Sequence, residues 1–158
     1  MEMQSESAVF AAGCFWGVEA AFDDIEGVQR TEVGYSNGFI EEPDYKQVCT
    51  GNTGHAEVVK VTFDASVISF SALLTIFWGC HNPTHKNKQG VDIGTQYRSG
   101  VFYQSDQQRT EAIASMAIQQ LIHDKPIVTI IEPLANYCQA EGYHQQYFKK
   151  NPGAGCQI

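Results

Sequence analysis

The stretch AVFAAGCFWGVEAAFDDIEGV, residues 8–28, changes its period at Gly13, and that change decides the fold. Ala8 to Ala12 is a short apolar run that reads as a buried strand. After Gly13, Val18, Ala21, Phe22 and Ile25 recur on one helix face until Gly27 ends the run. A chain that leaves a strand through Gly13-Cys14 and enters a helix puts Cys14 at the helix start. Free backbone N–H groups and the positive end of the helix dipole favour a thiolate there. Phe15 and Trp16 supply an apolar wall beside the sulfur. The glycines on both sides permit another molecule to approach the backbone. Spacing alone fits equally well a small buried residue at a tight turn.

Working outward, Val28 to Tyr35 reads as a second strand and Ser36-Asn37-Gly38 as a turn. Residues 39–54, with Pro43, Gly51 and Gly54, read as irregular. His55 to Asp64 alternates, with Glu57, Val59, Val61 and Phe63 on one parity. If that parity faces the core, Glu57 is partly desolvated. Desolvation favours its protonated form, a proton donor at neutral pH. The alternative is a carboxylate at a frayed, exposed strand end. Val58 on the opposite parity weakens the pattern.

Phe70 to Gly79 has helical spacing and stops before Pro83. Residues 81–99 read as a polar loop and Gly100 to Gln104 as a short strand. Ser105 with Gln108 resembles a capping box that opens a helix over Asp106 to His123. Ile127 to Glu132 is a β-branched strand ended by Pro133, and Glu141 to Lys150 a short helix. Asn151 to Ile158 is a proline- and glycine-bearing tail that carries Cys156. This order predicts one domain over residues 1–158. Its class is α+β: a two-layer sandwich with helices packed on a mixed or antiparallel sheet. Residues 36–54 and 81–99 form long irregular loops of the length that carries function. Flexibility is expected at about 1–7 and 149–158.

Composition narrows the function classes. The net charge of -8 over 158 residues, with no basic stripe, argues against nucleic acid and anionic membranes as partners. No apolar stretch approaches the ~18 residues that a membrane helix needs. Residues 1–7 are acidic and polar, unlike a secretory signal, so the cytoplasm is the expected compartment. The five cysteines, Cys14, Cys49, Cys80, Cys138 and Cys156, are odd in number and include no C-x-x-C pair. Without a secretory signal this argues against a disulfide framework. Cys80, His81 and His85 invite a metal reading, but three candidates in one segment fall short of the four ligands of structural zinc, so no metal is expected. His55 and His144 read as single structural or exposed histidines. Tyr45 and Tyr97 could each offer a phenolic donor, though a loop tyrosine ordinarily covers a core edge with its hydroxyl in water.

Several segments, taken in order, resemble the methionine sulfoxide reductase A family. They are Gly13-Cys14-Phe15-Trp16-Gly17, Gly34-Tyr35, Val48-Cys49-Thr50-Gly51, Thr53-Gly54-His55-Ala56-Glu57, His81-Asn82-Pro83-Thr84, Gln89 to Ser99, and His144-Gln145 with Tyr147. The resemblance implies reduction of methionine S-sulfoxide, free or in peptides and proteins. It implies Cys14 as nucleophile, Phe15 and Trp16 as the substrate methyl pocket, and Glu57 as the acid on the sulfoxide oxygen. Tyr45 and Tyr97 would hold that oxygen, and Asp92 would join the polar network. Cys156 would resolve the oxidised Cys14. It implies no bound cofactor and thioredoxin as the external dithiol, with a monomer expected. Three departures stand out. Asn37 replaces a glycine of the family's Gly-Tyr-x-Gly-Gly turn, Tyr137-Cys138-Gln139 replaces an aromatic-proline sequence, and no second resolving cysteine follows Cys156.

Two rival classes are distinct. A cysteine hydrolase built on Cys14, His55 and Asp92 would need a base beside the thiol and would release product from an activated ester without any dithiol. A thiol-bearing interaction module would show no turnover at all.

Overall fold

The strand that runs into Gly13 lies in the interior of the main sheet. The computed structural model describes residues 5–39, 44–50, 53–89 and 92–151. Strand β1 (Ser5–Ala12) pairs antiparallel with β3 (Ala56–Asp64) on one side and with β6 (Ser99–Tyr103) on the other. β2 (Val28–Ser36) lies beyond β3 and β8 (Cys138–Gln139) beyond β2; β7 (Ile130–Pro133) closes the far edge, parallel to β6. The six-stranded order is β7-β6-β1-β3-β2-β8, a mixed sheet as expected. β1 begins at Ser5, inside the segment expected to be loose, because Ser5 to Ser7 pair with Thr62 to Asp64.

Helices α1 (Phe15–Asp23), α3 (Phe70–Gly79) and α4 (Asp106–Gln120) all bury side chains in one core with the inward residues of the sheet. Phe10 stands at its middle. Its ring stacks on Phe22 of α1 at 5.1 Å and on Phe77 of α3 at 5.3 Å. A fully buried side chain of this kind contributes on the order of 2 kcal/mol. Ser105 caps α4 by accepting from the Gln108 N–H at 3.2 Å, as the capping pattern predicts. The Gln108 side chain reaches one residue further back than a capping box requires, to the Gln104 N–H. The helix is also shorter than the pattern implies, ending at Gln120.

The parity of β3 comes out as predicted, with Val59, Val61 and Phe63 in the helix-side core. Val58 is buried too, because the opposite face carries its own cluster of Val9, Ala11, Ala56, Val58 and Phe102. Ile130, Leu134 and Tyr137 of the returning chain pack against that cluster.

Two of the departures acquire a physical account here. Asn37 sits at φ 61, the left-handed region that a glycine would supply. Its side chain donates to the Pro133 carbonyl at 2.9 Å and accepts from the Ala135 N–H at 3.2 Å, which offsets the backbone strain. Tyr137 donates to Glu32 and lies under Lys60 Nζ, 5.5 Å from the ring centre, while Cys138 and Gln139 pair with Tyr35 and Gly34.

Candidate active site

Cys14 is the N-cap of α1, and its carbonyl accepts from Gly17 N–H at 3.2 Å and Val18 N–H at 3.3 Å. The side chain is 7% exposed, at the positive end of the α1 dipole. Gly13 before it has φ +94, a value that L side chains rarely adopt. The space a Cβ would take there is filled by Gln89, so the approach that this glycine permits is made from within the chain.

Glu57 stands near the start of β3, paired with Tyr35 of β2, and is 2% exposed. Its Oε1 accepts from the Phe15 N–H at 3.2 Å. A carboxyl group from the sheet therefore reaches the first turn of the helix that Cys14 opens.

Two tyrosines face this pair. Tyr45 begins a short helix, α2 (Tyr45–Cys49), in a segment that reads as irregular in sequence. Asp44 caps it in a reciprocal capping box with Gln47. Burial pushes the Tyr45 phenol well above its ordinary range, helped by its hydrogen bond with Cys49 and by Glu57 whenever that carboxyl is ionised. Tyr97 lies in a single 3-10 turn, Thr95–Tyr97, and burial raises it too. Negative charge on Glu57, Cys49, Asp92 or Cys14, when these groups are ionised, adds to that rise. Both phenols thus keep their protons and act as donors. Asp92 belongs to a two-stranded ribbon, β4 (Lys88–Gln89) with β5 (Asp92–Ile93), and burial raises its carboxyl. That ribbon and the 3-10 turn lie inside the segment expected to be a plain loop. Arg98 ties the turn to the rest of the site, donating to the carbonyls of Thr95, Asn37 and Gly54.

Trp16 and Phe15 form a wall together with Tyr147 and His144, to which the sequence reading assigned no role. The Trp16 indole stacks on Tyr147 with centroids 3.8 Å apart and 9° between planes. The His144 ring is 4.4 Å from Tyr45 and 5.1 Å from Phe15. His144 is 1% exposed, and burial lowers its pKa from the ordinary range, which favours the neutral ring. Glu141 accepts from the Tyr35 hydroxyl at 3.0 Å and from the Tyr45 N–H at 3.1 Å. Only the His144-Gln145 and Tyr147 pattern pointed this way in the sequence.

The structure brings the Cys14 turn, Phe15, Trp16, Tyr45 and Glu57 together, with the 3-10 turn of Tyr97 packed against β3 and Asp92 on the neighbouring ribbon. Cys156 lies outside the described residues. Cys49 ends α2 beside Tyr45, whereas Cys80 caps the C-terminal end of α3, where burial pushes its thiol up to about 12. Among the described residues, no group of three or more His, Cys, Asp or Glu side chains is placed to hold a metal ion. No described helix is long and apolar enough to cross a membrane.

Known proteins share both the sequence and the fold. A family model described as peptide methionine sulfoxide reductase matches residues 6–158. The peptide methionine sulfoxide reductase MsrA of Methanothermobacter thermautotrophicus is 53% identical over 156 residues, covering 97% of this chain and 92% of that protein. A tomato (Solanum lycopersicum) peptide methionine sulfoxide reductase is 51% identical over 152 residues, covering 96% of this chain and 78% of its own. Among solved structures, reduced Mxr1 from Saccharomyces cerevisiae superposes with a TM-score of 0.89 at 37% identity, covering 96% of this chain and 88% of the yeast chain. The same yeast protein in complex with Trx2 gives a TM-score of 0.65 at 25% identity, covering 93% of this chain and 89% of that one. With a family match over nearly its whole length and a fold shared with these reductases, the chain belongs to the peptide methionine sulfoxide reductase A family and is an enzyme of that kind.

Proposed function

We propose that this enzyme reduces the S epimer of methionine sulfoxide, free or in peptides and proteins, with Cys14 as nucleophile. The observation that carries the reading is the contact of Glu57 Oε1 with the Phe15 N–H, which sets a buried carboxyl beside the cysteine turn. The Cys14 thiolate attacks the sulfoxide sulfur. Glu57 delivers a proton to the oxygen while the Tyr45 and Tyr97 hydroxyls stabilise the charge developing on it. That attack forms a bond between Cys14 Sγ and the substrate sulfur. The protonated oxygen then passes to Cys14 Sγ as the substrate sulfur–oxygen bond and the new sulfur–sulfur bond break, so the thioether leaves with the sulfur–sulfur electron pair and Cys14 is left as a sulfenic acid. Asp92 belongs to the polar network around Tyr97. Phe15 and Trp16 receive the substrate methyl group.

Recycling follows from thiol chemistry. The Cys156 thiol condenses with the sulfenic acid, releasing water and forming a disulfide. An external dithiol then reduces that disulfide by exchange. The complex of yeast Mxr1 with Trx2 supports a thioredoxin in this role. Such a cycle suits the cytoplasm, where thiols are kept reduced.

The reading is tested by turnover of the separated R and S epimers of a methionine sulfoxide peptide with dithiothreitol. Methionine should form from the S epimer alone. Equal rates for both epimers would remove the stereochemical assignment, and no product from either would remove the function. Cys156→Ser should release about one equivalent of methionine and then stall with thioredoxin, because the first step needs only one thiol.

A further inference from the structure

Glu19 lies on the active-site helix α1, is 2% exposed, and has no part in the chemistry just described. We propose that Glu19 is a positioning residue for the Trp16 wall: its buried carboxyl holds Gln146 in the left-handed backbone conformation that delivers Tyr147 against the indole. The inference rests on the reading that Trp16 lines the substrate pocket.

The geometry converges on one residue. Gln146 has φ 56 and ψ 39, a conformation unfavourable for an L side chain that persists only when its surroundings impose it. Glu19 Oε1 accepts from the Gln146 N–H at 2.8 Å, and Oε2 accepts from Gln146 Nε2 at 2.9 Å. Thr31 of β2 completes the grip, donating to Oε2 at 2.9 Å. An acceptor-only carboxylate thus meets three donors, two of them from Gln146.

Gln146 sits between the two residues that hold the indole. His144, two residues before it, takes the indole N–H. Tyr147, immediately after it, covers the indole face and starts α5 (Tyr147–Lys150). Lys149 of α5 is paired with Asp23, one turn beyond Glu19 on α1, so the same helix that opens at Cys14 grips α5 at two points. A regular helix through Glu141 to Lys150, the sequence expectation, lacks this left-handed turn.

The test uses the full chain. The protein has two tryptophans, so Trp78→Phe leaves Trp16 as the only indole emitter. In that background Glu19→Gln replaces one acceptor oxygen by a donor that faces other donors. Trp16 emission should shift to the red as Tyr147 leaves the ring. KM for methionine sulfoxide should rise on the order of five-fold, the factor that accompanies lost burial of one methyl group, with kcat little changed. Glycine adopts the left-handed region unaided, so adding Gln146→Gly should restore both emission and KM. Unshifted emission, a shift without a change in KM, or no recovery in the double variant would each overturn the proposal. If Glu19→Gln does not fold, Gln146→Ala and Gln146→Gly decide it with Glu19 intact. Alanine should raise KM more than glycine does, and equal effects reject the idea. Wild type that leaves methionine sulfoxide unreduced would instead sink the functional reading, while the emission arm still reports on the clamp.

Discussion

The indole Nε1–H of Trp16 donates to Nδ1 of His144 at 3.0 Å, across 128 residues of sequence. The indole can only donate, so Nδ1 must accept and the ring proton of neutral His144 sits on Nε2. Burial lowers the His144 pKa and so favours that neutral form, opposed by the charge of Glu141. The indole is thus fixed at its N–H edge by His144 and on one face by Tyr147.

A fixed indole should act as a shaped methyl pocket. Trp16→Ala should weaken methionine sulfoxide more than a sulfoxide without a methyl group, by on the order of 1 kcal/mol. His144→Leu should give a smaller loss with the same selectivity, because the ring stays but its anchor goes. Competitive inhibition constants for the two sulfoxides would measure it. Equal losses for both ligands would make Trp16 a packing residue.

Cys14→Ser should abolish reduction, since a hydroxyl is a far weaker nucleophile than a thiolate. Glu57→Gln should slow the sulfoxide step by ~10²-fold while iodoacetamide still alkylates Cys14, because the amide keeps shape but transfers no useful proton. Single-turnover methionine release separates the step from recycling. A near-normal rate in Glu57→Gln would pass the acid role to water or to a tyrosine.

Much of this site was legible because two periods were. The change at Gly13 located Cys14 at a helix start, and the parity of Glu57 with Val59, Val61 and Phe63 placed it on the core side of β3. What escaped depends on contacts between distant segments or on elements too short for a period. The five residues of α2 span little more than one turn, so their signal was the Asp44 cap, not a stripe. His144 looked like a lone histidine because its partner is on α1. The strand expected from Ile127 begins at Ile130, since Val128 N–H donates instead to Pro83 and pairing with β6 starts at Gly100. Glu141 to Lys150 looked like one helix because nothing in its composition reveals that Gln146 is left-handed.

Gly13 tests the join between strand and helix. A Cβ there would lie 2.8 Å from both Cβ and Cγ of Gln89, at a φ of +94. Gln89 cannot easily yield, because it is fully buried and bonded to the backbone of Asn82 through both ends of its amide. Gly13→Ala should therefore destabilise the protein by roughly 2 kcal/mol or more, combining backbone strain with displacement of a packed side chain. Activity should fall further than the folded fraction does, since Cys14 is the next residue. Denaturant unfolding beside the rate of Cys14 alkylation would show both effects. A variant with unchanged stability would mean that Gln89 moves freely.

His81, at the base of the loop that carries Asp92 and Tyr97, should make stability depend on pH below the ordinary histidine range. His81 follows α3, is 9% exposed, and is held by Phe77 and Ser99. The Phe77 carbonyl only accepts, so His81 Nδ1–H donates to it at 2.8 Å and Nε2 accepts from the Ser99 hydroxyl at 2.7 Å. Burial, reinforced by the nearby His123 and opposed by the Phe77 carbonyl, pushes His81 down from 6.5 to about 4. A depressed histidine favours the fold only while it is neutral. Its contribution is complete above the unfolded value of 6.5 and is lost as pH falls from there through about 4. The full loss is on the order of 3 kcal/mol. Glu19 and Asp92, whose carboxyls burial raises, act with the opposite sign and favour the fold as pH falls. The clean measure is therefore the difference between wild type and His81→Gln, which cannot titrate. Unfolding free energies at neutral pH should favour wild type, and the gap should close as pH falls from 6.5 towards 4. A gap that stays constant over that window would mean that His81 is as easily protonated in the folded chain as in the unfolded one.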